Sequence, residues 1–174
     1  MKRLFAHRWL LAMVLFQSIL SSCAVVDRDS RSTGAIAADS IADEPLGEIL
    51  FRVLHKADYN IDDRATFRNF LVLSDAAAYA LELQNYSVEV PATIDFTSDS
   101  IVLATMGTQA SGGYAISAMK AEEYADRVVV QYELVSPSDN CLTTPAQSNP
   151  YEFIVLPTRK PLEFADVSRV EACE

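Results

Sequence analysis

Histidine is the side chain most often used for proton transfer near neutral pH, and this chain of 174 residues has two, His7 and His55. His55 ends an apolar run at residues 49–55, a position typical of a structural histidine. A Ser–His–Asp arrangement would need His55, yet no Gly-x-Ser-x-Gly motif accompanies it. No spacing of His, Cys and carboxylate residues fits a zinc site. The residues therefore predict no catalytic residue, no bound metal and no cofactor.

The cysteine at position 23 follows a segment with the features of an export signal. Three basic residues precede a short apolar run at residues 9–16, whereas a membrane-spanning helix needs about 20 apolar residues. The sequence Leu20-Ser21-Ser22-Cys23 then resembles the lipobox of bacterial lipoproteins, in which the cysteine thiol accepts diacylglycerol. We expect residues 1–22 to be a signal peptide and Cys23 to be lipidated. An ordinary secretory signal and an uncleaved membrane anchor are the alternatives.

The residues after Cys23 indicate where the lipid would hold the protein. Ala24 and Val25 follow it, with no Asp directly after the cysteine. In an envelope with two membranes this pattern favours the outer membrane, with the protein facing the periplasm. Two or more acyl chains hold firmly, at about 0.8 kcal/mol per buried CH₂. We expect a lipid-anchored protein of the cell envelope that contacts the membrane through its lipid.

The charge balance bears on the class of partner. The whole chain has 14 basic and 24 acidic residues and a formal net charge of −10. Cleavage after residue 22 would remove His7 and three of the 14 basic residues, which brings the net charge to −13. A surface this acidic repels phosphate backbones and anionic headgroups. The charge therefore excludes nucleic acid as the expected partner.

Cys141 and Cys173 are the other two cysteines. In an oxidising compartment they form one possible disulfide pair, whereas their spacing excludes a redox pair of the Cys-x-x-Cys kind. The bridge would close a loop of roughly 33 residues and stabilise the fold by about 3–4 kcal/mol. It would tie the C-terminal tail to the loop after Pro137.

The composition divides the chain into a tether and one domain. Residues 23–45 are rich in Asp, Ser and Ala without a dense apolar pattern, which predicts a lipidated N-terminus followed by a flexible tether. Residues 46–174 are long enough for one globular domain.

The first half of the domain predicts two strands and a helix. A strand at residues 49–55 precedes a polar turn at 56–63. Residues 64–84 allow either one helix or a strand at 67–73 followed by a helix at 76–83. We favour the second interpretation, with Ser74 as N-cap and Asp75 in the first turn, because the apolar run before Ser74 lacks a polar side.

The second half alternates apolar runs with turn residues. The predicted strands lie at residues 101–106, 114–119, 128–135, 151–156 and 162–167. Seven short strands and one short helix predict a mainly β fold, either a compact antiparallel β-sandwich or a barrel-like domain, with an α+β fold as the alternative.

The most distinctive segment is residues 107–114, which we call the glycine loop. It contains Gly107, Ser111, Gly112, Gly113 and Tyr114. The two adjacent glycines allow positive φ and close approach of another backbone. Two interpretations remain open: a loop entering a strand with Tyr114 packed in the core, or a partner-binding loop with Tyr114 as aromatic anchor. The loop lacks the glycine spacing needed to bind a nucleotide.

The order of motifs around this loop resembles the PrcB C-terminal family, named for a lipoprotein subunit of a bacterial surface protease complex. Its members have a hydrophobic strand, a Gly, a Thr-Gly-Gly-Tyr-like turn, a strand pair, and a Pro-Tyr leading into another strand. The matching features here are residues 101–106, Gly107, Ser111-Gly112-Gly113-Tyr114, residues 128–135 and Asn149-Pro150-Tyr151. The resemblance covers residues 70–157. Ser111 replaces the usual Thr, and residues 136–148, which we call the insertion, have no counterpart in the pattern.

The resemblance implies a protein that binds or stabilises an envelope protein, plausibly a protease, without catalytic residues of its own. The same turn is more distantly similar to the Thr-Thr-Gly-Tyr loop of chagasin-type inhibitors of cysteine proteases, which are immunoglobulin-like sandwiches. Direct protease inhibition is therefore the alternative function. The other two inhibitor loops have no match in this chain.

Overall fold

The structure is a computed structural model that describes residues 44–59 and 67–172. Its elements follow in chain order: β1 (Gly47–Glu48), β2 (Arg52–Ala57), β3 (Asn69–Leu73), α1 (Ala76–Leu83), β4 (Ser100–Thr105), β5 (Ala115–Glu123), β6 (Val128–Pro137), β7 (Tyr151–Leu156) and β8 (Leu162–Glu171). No helix in the described ranges is long and apolar enough to cross a membrane.

The strands form two four-stranded sheets. Sheet A has the order β1-β5-β6-β8 and sheet B the order β2-β7-β4-β3. Every pair of neighbours is antiparallel except β6 and β8, which run parallel over their full lengths. The chain passes from sheet B to sheet A between β4 and β5, and returns between β6 and β7.

The two sheets pack face to face around an apolar core. Val102 of β4 and Ile154 of β7 belong to the same buried cluster as Ile116 of β5 and Val130 of β6. Removal of this apolar surface from water is the main force that holds the sheets together, at about 25 cal/mol per Å². The fold is therefore a sandwich.

A third layer covers the outer face of sheet B. Tyr79 and Leu83 of α1 pack with Leu103 of β4 and with Phe153 of β7. Strands β4 and β7 are thus buried on both faces, which explains why their sequences are continuous apolar runs rather than alternating ones.

The helix begins where the split interpretation of residues 64–84 places it, but its N-cap differs from the prediction. The Asp75 side chain accepts a hydrogen bond from the Ala78 N–H at 2.8 Å, and Asp75 is the N-cap. The assignment of Ser74 was wrong. Both residue types favour this position, so sequence alone did not discriminate between neighbours.

The prediction of a mainly β fold with one short helix is confirmed, and the sheets do not close into a barrel. The expectation of wholly antiparallel sheets was wrong for β8. The predicted strand at 49–55 also begins too early, because β2 in sheet B starts at Arg52 and the preceding β1, at Gly47–Glu48, belongs to sheet A. The chain changes sheets within that apolar run, so its uniform hydrophobicity concealed the break.

Candidate functional site

The glycine loop and the insertion lie side by side at one end of the sandwich. The glycine loop connects β4 to β5, and the insertion connects β6 to β7, so both are crossings between the two sheets. An isolated antiparallel bridge between Gln109 and Ser148 joins them. The parallel strand β8 ends at this same place, because Glu171 is paired with Pro137 at the end of β6.

The start of the glycine loop is fixed by buried polar groups. Gly107 has φ of 71°, a value that L side chains rarely adopt. Its N–H donates to Thr105 Oγ1 at 3.1 Å, and Thr105 Oγ1 donates to Asn149 Oδ1 at 3.0 Å. Asn149 N–H donates in turn to the Asp58 carbonyl at 2.7 Å. The loop therefore leaves β4 in a defined direction.

The middle of the glycine loop is hydrogen-bonded to the insertion. Gln109 N–H donates to the Ser148 carbonyl at 2.7 Å, and Ser148 Oγ donates to the Ser111 carbonyl at 2.7 Å. Gly112 N–H donates to the Thr144 carbonyl at 3.1 Å. The Ser111 carbonyl and the Gly112 N–H are thus occupied within the chain, and these bonds hold the two segments as one surface.

Of the two adjacent glycines, Gly113 has the positive φ, at 90°. A Cβ on Gly113 would also lie 3.3 Å from the Pro137 side chain, a tight contact. A Cβ on Gly112 would meet Thr144 at an ordinary 3.6 Å. Of the two glycines that allow positive φ, the fold therefore uses this freedom at Gly113 and not at Gly112.

Tyr114 directly precedes β5 and is partly buried. Ile116, two residues further, is fully buried in the core between the sheets. Tyr114 thus fits neither interpretation completely, since it is not enclosed in the core and not fully presented.

A cleft of about 420 Å³ opens between the glycine loop, the insertion and the end of β8. Its lining includes Gly113, residues 141–144 and Glu171. Leu142 at its rim is wholly exposed, at 104% of its reference area. Leu142 was not identified from the sequence, because single apolar residues in polar loops are common on protein surfaces.

The three cysteines are described to different extents. Cys141 Sγ lies 3.6 Å from the carbonyl oxygen of Glu171, two residues before Cys173 in the sequence. Cys173 and Cys23 lie outside the described residues. The disulfide and the lipidation therefore stay predictions, and the position of Cys141 beside the end of β8 is compatible with the first.

His55 forms a buried polar group with two neighbours. Its Nδ1 lies 2.7 Å from Glu89 Oε2, and its Nε2 lies 2.8 Å from the hydroxyl of Tyr79. The ring also packs edge-on against Phe153 at 6.0 Å. Both ring nitrogens are engaged and the residue is 8% exposed, so a substrate would have little access to it.

A second buried polar group, Glu152, lies between the sheets. Its Oε2 accepts a hydrogen bond from the Ala118 N–H at 2.6 Å, and its Oε1 lies 3.4 Å from Lys56 Nζ. Burial raises the pKa of the Glu152 carboxyl, while Ala118 and Lys56 partly oppose this. Glu152 was not identified from the sequence, although it is the only charged residue in the apolar run of β7.

Within residues 44–59 and 67–172, no group of three or more His, Cys, Asp or Glu side chains could hold a metal ion. Glu152 is enclosed, and His55 is engaged. The accessible features of the site are instead backbone and small side chains around the cleft, with Leu142 at the rim.

Comparison with known proteins gives one match. Residues 100–157 match the family model described as PrcB C-terminal. The match begins with β4 and ends just after β7, so it spans the glycine loop and the insertion. It confirms the family resemblance, over a shorter range than the predicted 70–157. No curated protein and no solved structure matches the chain significantly.

Proposed function

Because residues 100–157 match the PrcB C-terminal family, we propose that this chain is a non-enzymatic subunit that binds a protease in the bacterial cell envelope. The resemblance to this family, which is named for a subunit of a bacterial surface protease complex, supports a protease as the partner. The proposed role is to hold or stabilise the protease, with the chain anchored to the membrane through lipidated Cys23. The tether at residues 23–45 would lift the domain from the bilayer.

The observation that carries the proposal is the fixed pair of segments at one end of the sandwich. Hydrogen bonds from Gly112 and Ser148 hold the glycine loop against the insertion. A preorganised surface loses less conformational entropy on binding than a loose one, which favours affinity. The matched family segment contains both members of the pair.

The exposed Leu142 supports this surface as the contact region. Burial of a water-exposed apolar side chain by a partner favours binding, by roughly 1.5–3 kcal/mol when burial is complete. Leu142 and Gly113 both line the cleft. We propose that Leu142 and Tyr114 are the apolar contacts, and that Gly113 allows the partner backbone to approach.

The state of the polar groups supports a role without catalysis. His55 and Glu152 are the buried histidine and the buried carboxylic acid in the described ranges. Each has its hydrogen-bonding atoms engaged inside the fold, and neither lines the cleft.

The proposal is tested by affinity capture of the full chain from chemically crosslinked cell envelopes. Tyr114→Ala and Leu142→Ser are compared with Leu81→Ser, which removes a 69% exposed leucine of α1 instead. With the first two variants, the captured amount of one protease should fall at least ten-fold. With the control, the captured amount should not change. Equal capture by all three would argue against this surface.

The alternative of direct inhibition predicts a different result with the same proteins. An inhibitor added at micromolar concentration should reduce the activity of papain-like or subtilisin-like enzymes. A stabilising subunit should leave those enzymes active and lengthen the lifetime of its own protease.

A further inference from the structure

The two sheets have four edge strands, and three of them are too short or too irregular to pair readily with another strand. Strand β1 has two residues, β3 has five, and the pairing of β2 is interrupted by a register shift between Val53 and His55. Natural proteins use short edges and bulges of this kind to prevent pairing with other chains. Strand β8 differs, because it has ten residues and a regular register along β6.

The register determines which backbone groups of β8 are unpaired. The carbonyl of Pro161 accepts from Val128 N–H at 2.9 Å, and the carbonyl of Glu171 accepts from Ser138 N–H at 3.0 Å. In a parallel strand the N–H and C=O of one residue point to the same side, and alternate residues point to opposite sides. The odd-numbered residues of β8 therefore bond β6.

The even-numbered residues of β8 point their backbone groups away from the sheet. In the part of the chain that the structure describes, no hydrogen bond reaches the backbone groups of these residues, which are Leu162, Phe164, Asp166, Ser168 and Val170. A row of unpaired donors and acceptors is a template for an additional strand.

The side chains of Phe70 in β3 and of Arg68 just before β3 partly cover the first half of this edge. The ring of Phe164 stacks on Phe70 at 5.0 Å, and Asp166 forms an ion pair with Arg68 at 3.0 Å. Beyond Asp166 every described residue of β8 is exposed, including Val170 at 65%. We call residues 167–171 the open stretch. It ends at Glu171, which lines the cleft beside the glycine loop.

The charge around the open stretch indicates the chemistry of its occupant. Three acidic residues, Glu133, Asp166 and Glu171, surround it and form ion pairs with two basic ones, Arg68 and Arg169. The whole chain has a net charge of −10. A basic strand would complement this edge, whereas a second copy of the chain would bring the same acidic surface to it.

We propose that the edge of β8 at residues 166–170 binds an extended, Lys- or Arg-containing segment of the partner protein as a fifth strand of sheet A. Backbone hydrogen bonds to Ser168 and Val170 hold the segment, and its end reaches the cleft at Glu171. This inference rests on the proposed function, since it states how the same partner is held.

The test uses a proline that removes one outward N–H. Ser168→Pro deletes a donor that the fold does not use, and proline is tolerated where the N–H of an edge strand faces solvent. Ser168→Ala keeps the N–H and loses the hydroxyl. The full chain carries a photoreactive residue in place of Val170, and crosslinking to envelope proteins is measured in intact cells.

With the probe at position 170, the protein with Ser168 and the Ser168→Ala variant should crosslink to one partner with equal yield. The Ser168→Pro variant should reduce this yield at least ten-fold. A second measurement does not depend on the folding of the proline variant. In the wild-type background, moving the probe from position 170 to 168 should shift the crosslinked site in the partner by two residues.

Three outcomes would overturn the β8 site: equal yield from Ser168→Pro and Ser168→Ala, absence of the two-residue shift, or crosslinks to a second copy of this chain. A probe in place of Tyr114 separates the two proposals. Crosslinks from position 114 without crosslinks from β8 would refute the strand addition alone. The absence of crosslinks from both positions would refute the proposed function as well.

Discussion

The carboxylate of Glu152 in β7 accepts a hydrogen bond from the backbone N–H of Ala118 in β5 at 2.6 Å. The acceptor lies in sheet B and the donor in sheet A, at a shift in the register between β5 and β6. A shift of this kind leaves a backbone N–H outside the ladder. The buried carboxylate therefore satisfies a donor of the opposite sheet.

This contact makes the stability of the fold depend on pH. Burial raises the pKa of Glu152 in the folded state above its ordinary value of 4.5. The folded state then binds more protons than the unfolded state between these two values. The contribution of Glu152 to the free energy of unfolding is therefore greatest below 4.5 and falls as the pH rises through the raised pKa.

Glu152→Gln should remove that dependence, since the amide oxygen can still accept from Ala118 and does not titrate. We expect the variant to gain stability relative to wild type as the pH increases from about 4 to about 7. Urea unfolding at several pH values measures the difference. A difference that stays constant with pH would contradict the assignment.

Gly113→Ala should destabilise the domain by about 1–3 kcal/mol, because alanine is strained at positive φ. Gly112→Ala is the matched control and should change the free energy of unfolding by less than about 0.5 kcal/mol, since its Cβ has ordinary space. Urea unfolding curves of the two variants test this. A similar decrease in the free energy of unfolding for both variants would contradict a positive φ at Gly113.

A disulfide between Cys141 and Cys173 should be present in protein isolated from the envelope without reductant. Peptide mass spectrometry would then detect the linked pair, and Cys141→Ser should lower the free energy of unfolding by about 3–4 kcal/mol. Complete labelling of both thiols in the unreduced protein would refute the bridge.

Cys23→Ser should abolish incorporation of labelled palmitate and move the protein from the membrane fraction to the soluble envelope fraction, because the thiol is the proposed acyl acceptor. Cys141→Ser is the control and should remain labelled. Labelling that persists without Cys23 would refute the lipid anchor.

Local sequence predicted the elements whose burial or capping is visible in their own residues. The run 151–156 matches β7 residue for residue, and the helix at 76–83 matches α1. Continuous apolar residues predicted β4 and β7 because both are buried on two faces. Composition gave no information on the direction of β8, since a parallel and an antiparallel edge strand can have the same residues.

Only the part of the site that depends on local sequence could be predicted. Gly113 was identified because glycine is the residue that positive φ requires. The contribution of Leu142 and Glu171 depends on the insertion and β8 meeting beside the glycine loop, which are contacts between residues distant in sequence. Glu152 was missed because its donor, Ala118, lies in the other sheet.

The central claim is that the surface formed by the glycine loop and the insertion contacts a protease. The most direct measurement is photocrosslinking in intact cells from a probe in place of Leu142, compared with a probe in place of Leu81 on α1. The account predicts one crosslinked protease from position 142 and none from position 81. Failure of position 142 to crosslink, or the same products from both positions, would contradict it.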